Sequence, residues 1–362
     1  MQKNILGKVF NFSCSTSTSK LLNESLEDYS SSNSNQFDVK VNIFSSTSEL
    51  ENVHLESKNP SIHGYKKNML FSVINGNYVW WEKKKDYLEV SFIFEMRSGL
   101  INKLRMLRKI EFSTEVERFE QILHELVLVP SMYFFDDIMP VHASSFDING
   151  KTILMAGTGG VGKSSSMLAI KDLPNTKFIA DDIVSINTKG QTNGNMAWPK
   201  IYAYNCQGSN LEKEILSGRG LLDLFHFHYR KSKDLASVRR KIKPKVLFGE
   251  VKPDCSDIDT VNILFRNNID DFVVSDVDKK TATELLINIM CSEYQIFHTH
   301  IHWHVYNARA NNHKPMIDFD KVLDSWRVIL NQALENKTVK VVNIPFNYPH
   351  DKYLNSIKSL FS

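Results

Sequence analysis

The sequence predicts an α/β protein in two parts. A smaller β-rich domain covers residues 1–115, and a larger domain over residues 116–362 is built on a mostly parallel or mixed sheet. Three observations predict this. Residues 37–112 alternate apolar and polar side chains with strand period. The second half alternates strand-like runs with helical spacing. A glycine-rich loop at residues 157–165 joins one such strand directly to one such helix.

Taken in order, Lys8–Phe12 reads as a short strand. The polar runs Ser15–Ser19 and Ser30–Ser34 offer too little apolar surface to order themselves, so they are expected to be loop or linker. Strands follow at Phe37–Phe44, Leu70–Ile74, Tyr78–Trp81 and Tyr87–Glu95, with Asn75-Gly76-Asn77 as a hairpin signal. Residues 115–130 carry Val116, Phe119, Ile122, Leu123 and Leu126 at helical spacing ahead of Pro130. Beyond them, strands are expected at 141–148, 151–156, 177–181, 183–187, 260–265, 271–275 and 339–344. Helices are expected at 163–171, 210–217, 280–293, 318–335 and 351–361.

Composition excludes several classes. A net charge of +3 is too small to imply a nucleic-acid partner. Cys14, Cys206, Cys255 and Cys291 lack C-x-x-C spacing and suggest reduced thiols. No run approaches the roughly 18 apolar residues of a membrane span, and the N-terminus lacks the apolar core of a leader. The expectation is a soluble cytoplasmic protein without nucleic-acid or membrane partners, for which a homo-oligomer is compatible.

The chemistry centres on Gly157-Thr158-Gly159-Gly160-Val161-Gly162-Lys163-Ser164, followed by Ser165. It lies between the apolar run Thr152–Ala156 and the helical run beginning at Ser166. Glycines let a backbone wrap around a polyphosphate, and amides at a helix start point at its oxygens. Lys163 would bridge the outer phosphates and the Ser164 hydroxyl would hold Mg²⁺. Gly157, Gly159 and Gly162 also spell the G-x-G-x-x-G of a dinucleotide site, with Asp181-Asp182 about twenty residues on. Lys163-Ser164 decides between the two, because a dinucleotide fold gives those residues no role. Phe178–Asp182 is an apolar strand ending in two carboxylates. One can ligate Mg²⁺ and the other can accept a proton from an attacking hydroxyl, although a solvated turn or helix cap would look the same. His142, in Val141-His142-Ala143-Ser144-Ser145, is by its chemistry either a satisfied core residue or an active-site group.

The stretch V-H-A-S-S-F-D-I-N-G-K-T-I-L-M-A-G-T-G-G-V-G-K-S-S, followed by F-I-A-D-D-I-V-S-I, resembles the catalytic domain of HPr kinase/phosphorylase. It is closer still to the stand-alone kinases related to that family. The matched motifs span roughly residues 140–187. The resemblance implies an HPr-kinase-like P-loop domain with Asp181 as catalytic base, Asp182 as an acid near the metal and His142 beside the phosphates. It also implies ATP and Mg²⁺ as cofactors, and transfer of the γ-phosphoryl group to a hydroxyl of a small molecule or of a serine in a peptide or protein. The alternative is a nucleotide-binding regulatory protein with slow or no hydrolysis. A GTPase is disfavoured because no N-K-x-D base-reading motif appears. One departure stands out. Where the family carries an E-[IV]-R-G-[LI]-G box, this chain has Glu214-Ile215-Leu216-Ser217-Gly218-Arg219-Gly220, with Glu214 and Arg219 out of register.

Two further stretches remain. The basic run from Arg230 to Lys245 is expected to be a solvated loop or a phosphate-clamping lid. His298, His300, His302 and His304 alternate. On a strand they would share one face, either as a polar surface or as a metal site.

Overall fold

The computed structural model describes residues 1–59, 62–97, 99–207 and 210–361. An eight-stranded sheet comes first: β1 (Gln2–Ile5), β2 (Lys8–Cys14), β3 (Val39–Phe44), β4 (Ser57–Lys58), β5 (His63–Lys66), β6 (Met69–Ile74), β7 (Asn77–Lys83) and β8 (Leu88–Ile93), in the spatial order 1-2-3-8-7-6-5-4. Strands β2, β3 and β8 run parallel, and the rest pair antiparallel. Asn75 (φ 51°) and Gly76 (φ 79°) form the two-residue β6–β7 turn that the sequence signalled, since both central positions of such a turn need positive φ.

Ser15–Ser19 is not a loop. Helix α1 (Thr16–Ser25) begins there, because Leu22 and the following Leu26 bury fully and carry the polar first turn with them. Tertiary burial supplied what local composition lacked. Helix α2 (Leu100–Met106) follows β8, and α3 (Glu115–Ile122) opens with a capping box between Thr114 and Glu117. α3 continues through a π-helical turn, Leu123–Leu128, into the short α4 (Val129–Ser131).

The second sheet contains β9 (Ile138–Ile148), β10 (Lys151–Ala156), β11 (Thr176–Ala180), β12 (Ile183–Asn187), β13 (Gln191–Asn193), β16 (Ser256–Asn267), β17 (Val273–Asp276) and β18 (Thr338–Pro345). β14 (Lys200–Tyr202) and β15 (Arg239–Lys241) form a separate ribbon. The helices are α5 (Lys163–Ile170), α6 (Leu211–Leu216), α7 (Leu221–Lys231), α8 (Pro244–Phe248), α9 (Lys279–Glu293), α10 (Gln295–Ala310), α11 (Phe319–Ala333) and α12 (His350–Ser359).

The sheet is mixed rather than mostly parallel. Only β10, β16 and β18 run parallel among the described pairings. The reason is local: Asn149 (φ 53°) and Gly150 (φ 83°) close a tight β9–β10 hairpin, which leaves no room for a crossover helix. One apolar core runs through both sheets, from Phe10, Val41 and Val90 to Val141, Leu154, Val261 and Trp326. A satellite of Met69, Phe71, Trp80 and Ile93 lies apart from it.

The His298–His304 stretch is helical, not a strand. It sits in α10, where Phe297, Ile301, His304 and Ala308 bury at helical spacing. Residues two apart on a helix point to nearly opposite sides, so the imidazoles split into His298 with His302 on one side and His300 with His304 on the other. His298 Nε2 meets Tyr133 Oη at 2.9 Å, His300 Nδ1 meets His63 Nδ1 at 2.8 Å, and His304 Nε2 accepts from Met316 N–H at 3.0 Å, while His302 is exposed. Burial holds His298 and His304 down to about 4, and His300 to about 3. Among the described residues no three His, Cys, Asp or Glu side chains gather as a metal ion would need. No described helix is long and apolar enough to cross a membrane.

Candidate functional site

The glycine loop leaves the end of β10 and re-enters α5 through Gly162. That residue has φ 119°, and a Cβ there would meet Tyr353 Oη at 2.6 Å, so only glycine fits. Tyr353 Oη donates to Gly162 O at 3.1 Å and lies 2.6 Å from Ser166 Oγ, which ties α12 to the first turn of α5. Lys163 is buried, and its Nζ donates to Gly157 O (2.9 Å) and Thr158 O (3.0 Å). Its amine curls back over its own loop rather than into an ion pair. Burial lowers its pKa, against the pull of Asp182, Asp181 and Glu293.

β11 and β12 pair with the same edge of β9, on either side of Asp181 and Asp182. The strand breaks between them, and Asp182 takes φ 66°. That kink turns the two carboxylates into different environments. Asp181 is buried and accepts a hydrogen bond from Ser144 Oγ at 2.8 Å. Burial, then the neighbouring Asp182, push its carboxyl up to about 6. Asp182 is half-exposed in the cleft. Burial pulls its pKa upward, but Lys200, His142 and Lys163 outweigh it and hold the carboxyl below the usual range.

His142, on β9, places Nδ1 2.8 Å from Gly157 O. A carbonyl only accepts, so Nδ1 carries the proton and Nε2 presents a lone pair to the cleft. Nε2 lies 3.9 Å from Asp182 and 3.9 Å from Glu293. Burial, then Lys163, lower its pKa and keep the ring neutral near pH 7.

These groups line one cleft of about 680 Å³. It brings together His142, Gly159, Gly160, Gly162, Lys163, Ser164, Ser165, Asp181 and Asp182. Gly157, Thr158 and Val161 complete the loop without lining the cleft. Val161 is buried, and the Gly157 and Thr158 carbonyls hold Lys163.

Sequence reasoning missed two contributors, Lys200 and Glu293, and placed a third, Arg239, only within the basic run. Lys200, on β14, sits 2.5 Å from Glu125 and 3.9 Å from Asp182. Arg239, on β15, pairs with Glu111 and donates to Tyr202 Oη at 2.8 Å. Glu293, the last residue of α9, accepts a hydrogen bond from Gly159 N–H at 2.7 Å. No local motif marks Lys200 or Glu293, while Arg239 lay within the basic run.

That run is a solvated loop only in part. Its strand β15 is ordered by burial, whereas the last turn of α7 and the following Lys233 and Asp234 lie at the surface. Arg240 pairs with Asp223 at 2.5 Å, and Lys241 with Glu120 at 2.6 Å. Arg219 likewise spends its guanidinium on Glu117 and Asp223, and neither it nor the exposed Glu214 lines the cleft. They do not stand in for the missing family box.

No protein-family profile matches the chain, and no curated protein matches it either. Among solved structures the chain is similar to the HPr(Ser) kinase/phosphatase from Coxiella burnetii, at 11% identity and a TM-score of 0.27. The match covers 61% of this chain and 95% of that one. A likeness that weak carries no weight for activity, and function rests on this chain's own residues.

Proposed function

We propose that the chain is an ATP-dependent kinase that transfers the γ-phosphoryl group to a hydroxyl of a small molecule or of a serine in a peptide or protein. One observation carries this. Two adjacent carboxylates with pKa values driven apart, one upward and one downward, share a cleft with a buried lysine on a glycine loop. Environments that separate a carboxylate pair in this way assign one as proton acceptor and the other as a standing anion.

Asp181 receives the proton of the acceptor hydroxyl, and its elevated pKa makes it a better base than an ordinary carboxylate near pH 7. Ser144 fixes its orientation. Lys163, freed from two carbonyls, neutralises the outer phosphates, and neutral His142 offers Nε2 beside them. Most of the acceleration comes from holding donor and acceptor in line and from charge neutralisation. The oxygen donors fit a hard divalent cation: Ser164 Oγ and the ionised, half-exposed Asp182 carboxylate would hold Mg²⁺. Bound there, the ion would supply charge neutralisation to the phosphates. We also retain the expectations of two domains meeting near residue 115 and of a cytoplasmic setting.

The alternative is a nucleotide-binding regulator with little turnover. One observation favours it: a carboxylate, Glu293, already holds a loop amide. Incubation with γ-labelled ATP and pools of hydroxyl metabolites and peptides, read by a mass gain of one phosphate, separates the two. Phosphate appearing on an acceptor, and lost in Lys163→Ala, supports the kinase. ATP binding with no labelled acceptor supports the regulator.

A further inference from the structure

The contact between Glu293 and Gly159 has no structural need that explains it. Glu293 ends α9, where the helix dipole is negative and an acid is disfavoured. It is nevertheless turned into the cleft, within 2.7 Å of the Gly159 N–H and 3.9 Å of His142 Nε2. Its two oxygens lie 3.6 and 3.7 Å from where a Gly159 Cβ would stand, so the carboxylate lies flat against that residue. Lys163 and His142 both feel its charge. An anion accepting a main-chain amide of a phosphate-binding loop, beside the loop lysine, makes the kind of contact a phosphate oxygen makes there.

Position along the loop says which phosphate. The inner phosphates lie on the amides nearest the start of α5, Gly160 to Lys163. Gly159 precedes them and shares Glu293 with His142, so its amide belongs to the outermost phosphate. We infer that Glu293 is an internal stand-in for the γ-phosphate and sets the preference of this site between nucleoside triphosphate and diphosphate. This rests on the phosphate-loop assignment above and adds to it a residue outside the loop. A diphosphate fills the inner amides with Glu293 in place. A triphosphate enters only after the carboxylate has left Gly159, because two anions cannot share one amide. The side chain is 27% exposed and ends its helix, so rotation about its own bonds clears the position without moving the backbone.

The test is calorimetric titration of the full chain with ATP and with ADP, each with Mg²⁺, for the native chain, Glu293→Gln, Glu293→Ala and Lys163→Ala. Removing a charged hydrogen-bond competitor is expected to tighten ATP about tenfold in both Glu293 variants, while ADP changes by no more than about twofold. The ATP-to-ADP affinity ratio is the decisive readout, since a purely structural role would move both ligands together. A native chain that binds ATP through Lys163, with Glu293 variants that bind it no tighter or gain equally for ADP, overturns the inference and leaves the nucleotide site standing. Failure of the native chain and both Glu293 variants to bind either nucleotide overturns the site itself.

Discussion

Two clusters of buried charge meet at β15, and they are built on opposite rules. On one side Arg240, Arg219, Asp223, Glu117, Lys241 and Glu120 are closed into direct pairs. Asp223 lies 2.9 Å from Arg219 and 2.5 Å from Arg240, and Glu120 lies 2.6 Å from Lys241. On the other side the groups around the glycine loop are held at arm's length, although Lys200 pairs with Glu125 at 2.5 Å and Arg239 with Glu111. His142 to Asp182, His142 to Glu293 and Lys200 to Asp182 are each 3.9 Å, and Lys163 is bonded to carbonyls rather than to any acid. Arg239 and Arg240 are neighbours on one strand, so alternation sends the first to the cleft and the second to Asp223, while Lys241, on the Arg239 side, lines the cleft and is paired with Glu120. The closed cluster has spent its charge on holding α3, α7 and β15 together. The open cluster keeps capacity that only a ligand can satisfy.

The largest effect should separate the two clusters outright. Asp223→Ala strips Arg240 of its carboxylate and leaves Arg219 with Glu117 alone, and should cost about 3–5 kcal/mol in denaturant unfolding. Lys163→Met should leave stability unchanged or raised at pH 7, since it removes a desolvated cation, yet abolish nucleotide binding. Equal destabilisation by both would erase the distinction.

Next in size, Asp181→Asn should lower phosphoryl transfer by about 10² or more while ATP remains bound. With Asp181 titrating at about 6, the native rate should rise with pH through that value and then level off. The linkage sign follows from the raised pKa. The unfolded carboxyl ionises near 3.9, so between there and about 6 the folded state holds the extra proton and loses stability as pH rises. Asp181→Asn removes that loss. Its stability relative to native should therefore climb across the window and plateau above it, as unfolding at pH 4 and pH 7.5 would read.

The smallest effect sharpens the role of α12. Tyr353→Phe removes hydrogen bonds at Gly162 O and Ser166 Oγ, and should cost about 1 kcal/mol. A larger loss in ATP affinity than in stability would show that α12 shapes the loop.

Much of the site was legible because it is local. The loop and the aspartate pair each occupy consecutive residues, and the β9–β10 hairpin brings His142 to Gly157 within a short span. Two misreadings had one cause. The alternation of His298–His304 and the polarity of Ser15–Ser19 were judged from neighbours in sequence, whereas Phe297, Ile301 and Leu22 were buried by distant partners. The sequence left the sheet open between mostly parallel and mixed, because strand-and-helix alternation does not report the direction in which a hairpin returns.

Backbone conformation at glycines, strand period and the chemistry of adjacent side chains are written within a few residues. The sequence therefore determined the loop, its lysine and the carboxylates beside it. Which charges are spent and which stay open was decided by folding alone. The partners of Glu293, Lys200 and Arg239 lie far along the chain, and a pair's separation, on which its pKa values and its availability depend, exists only once the elements have packed.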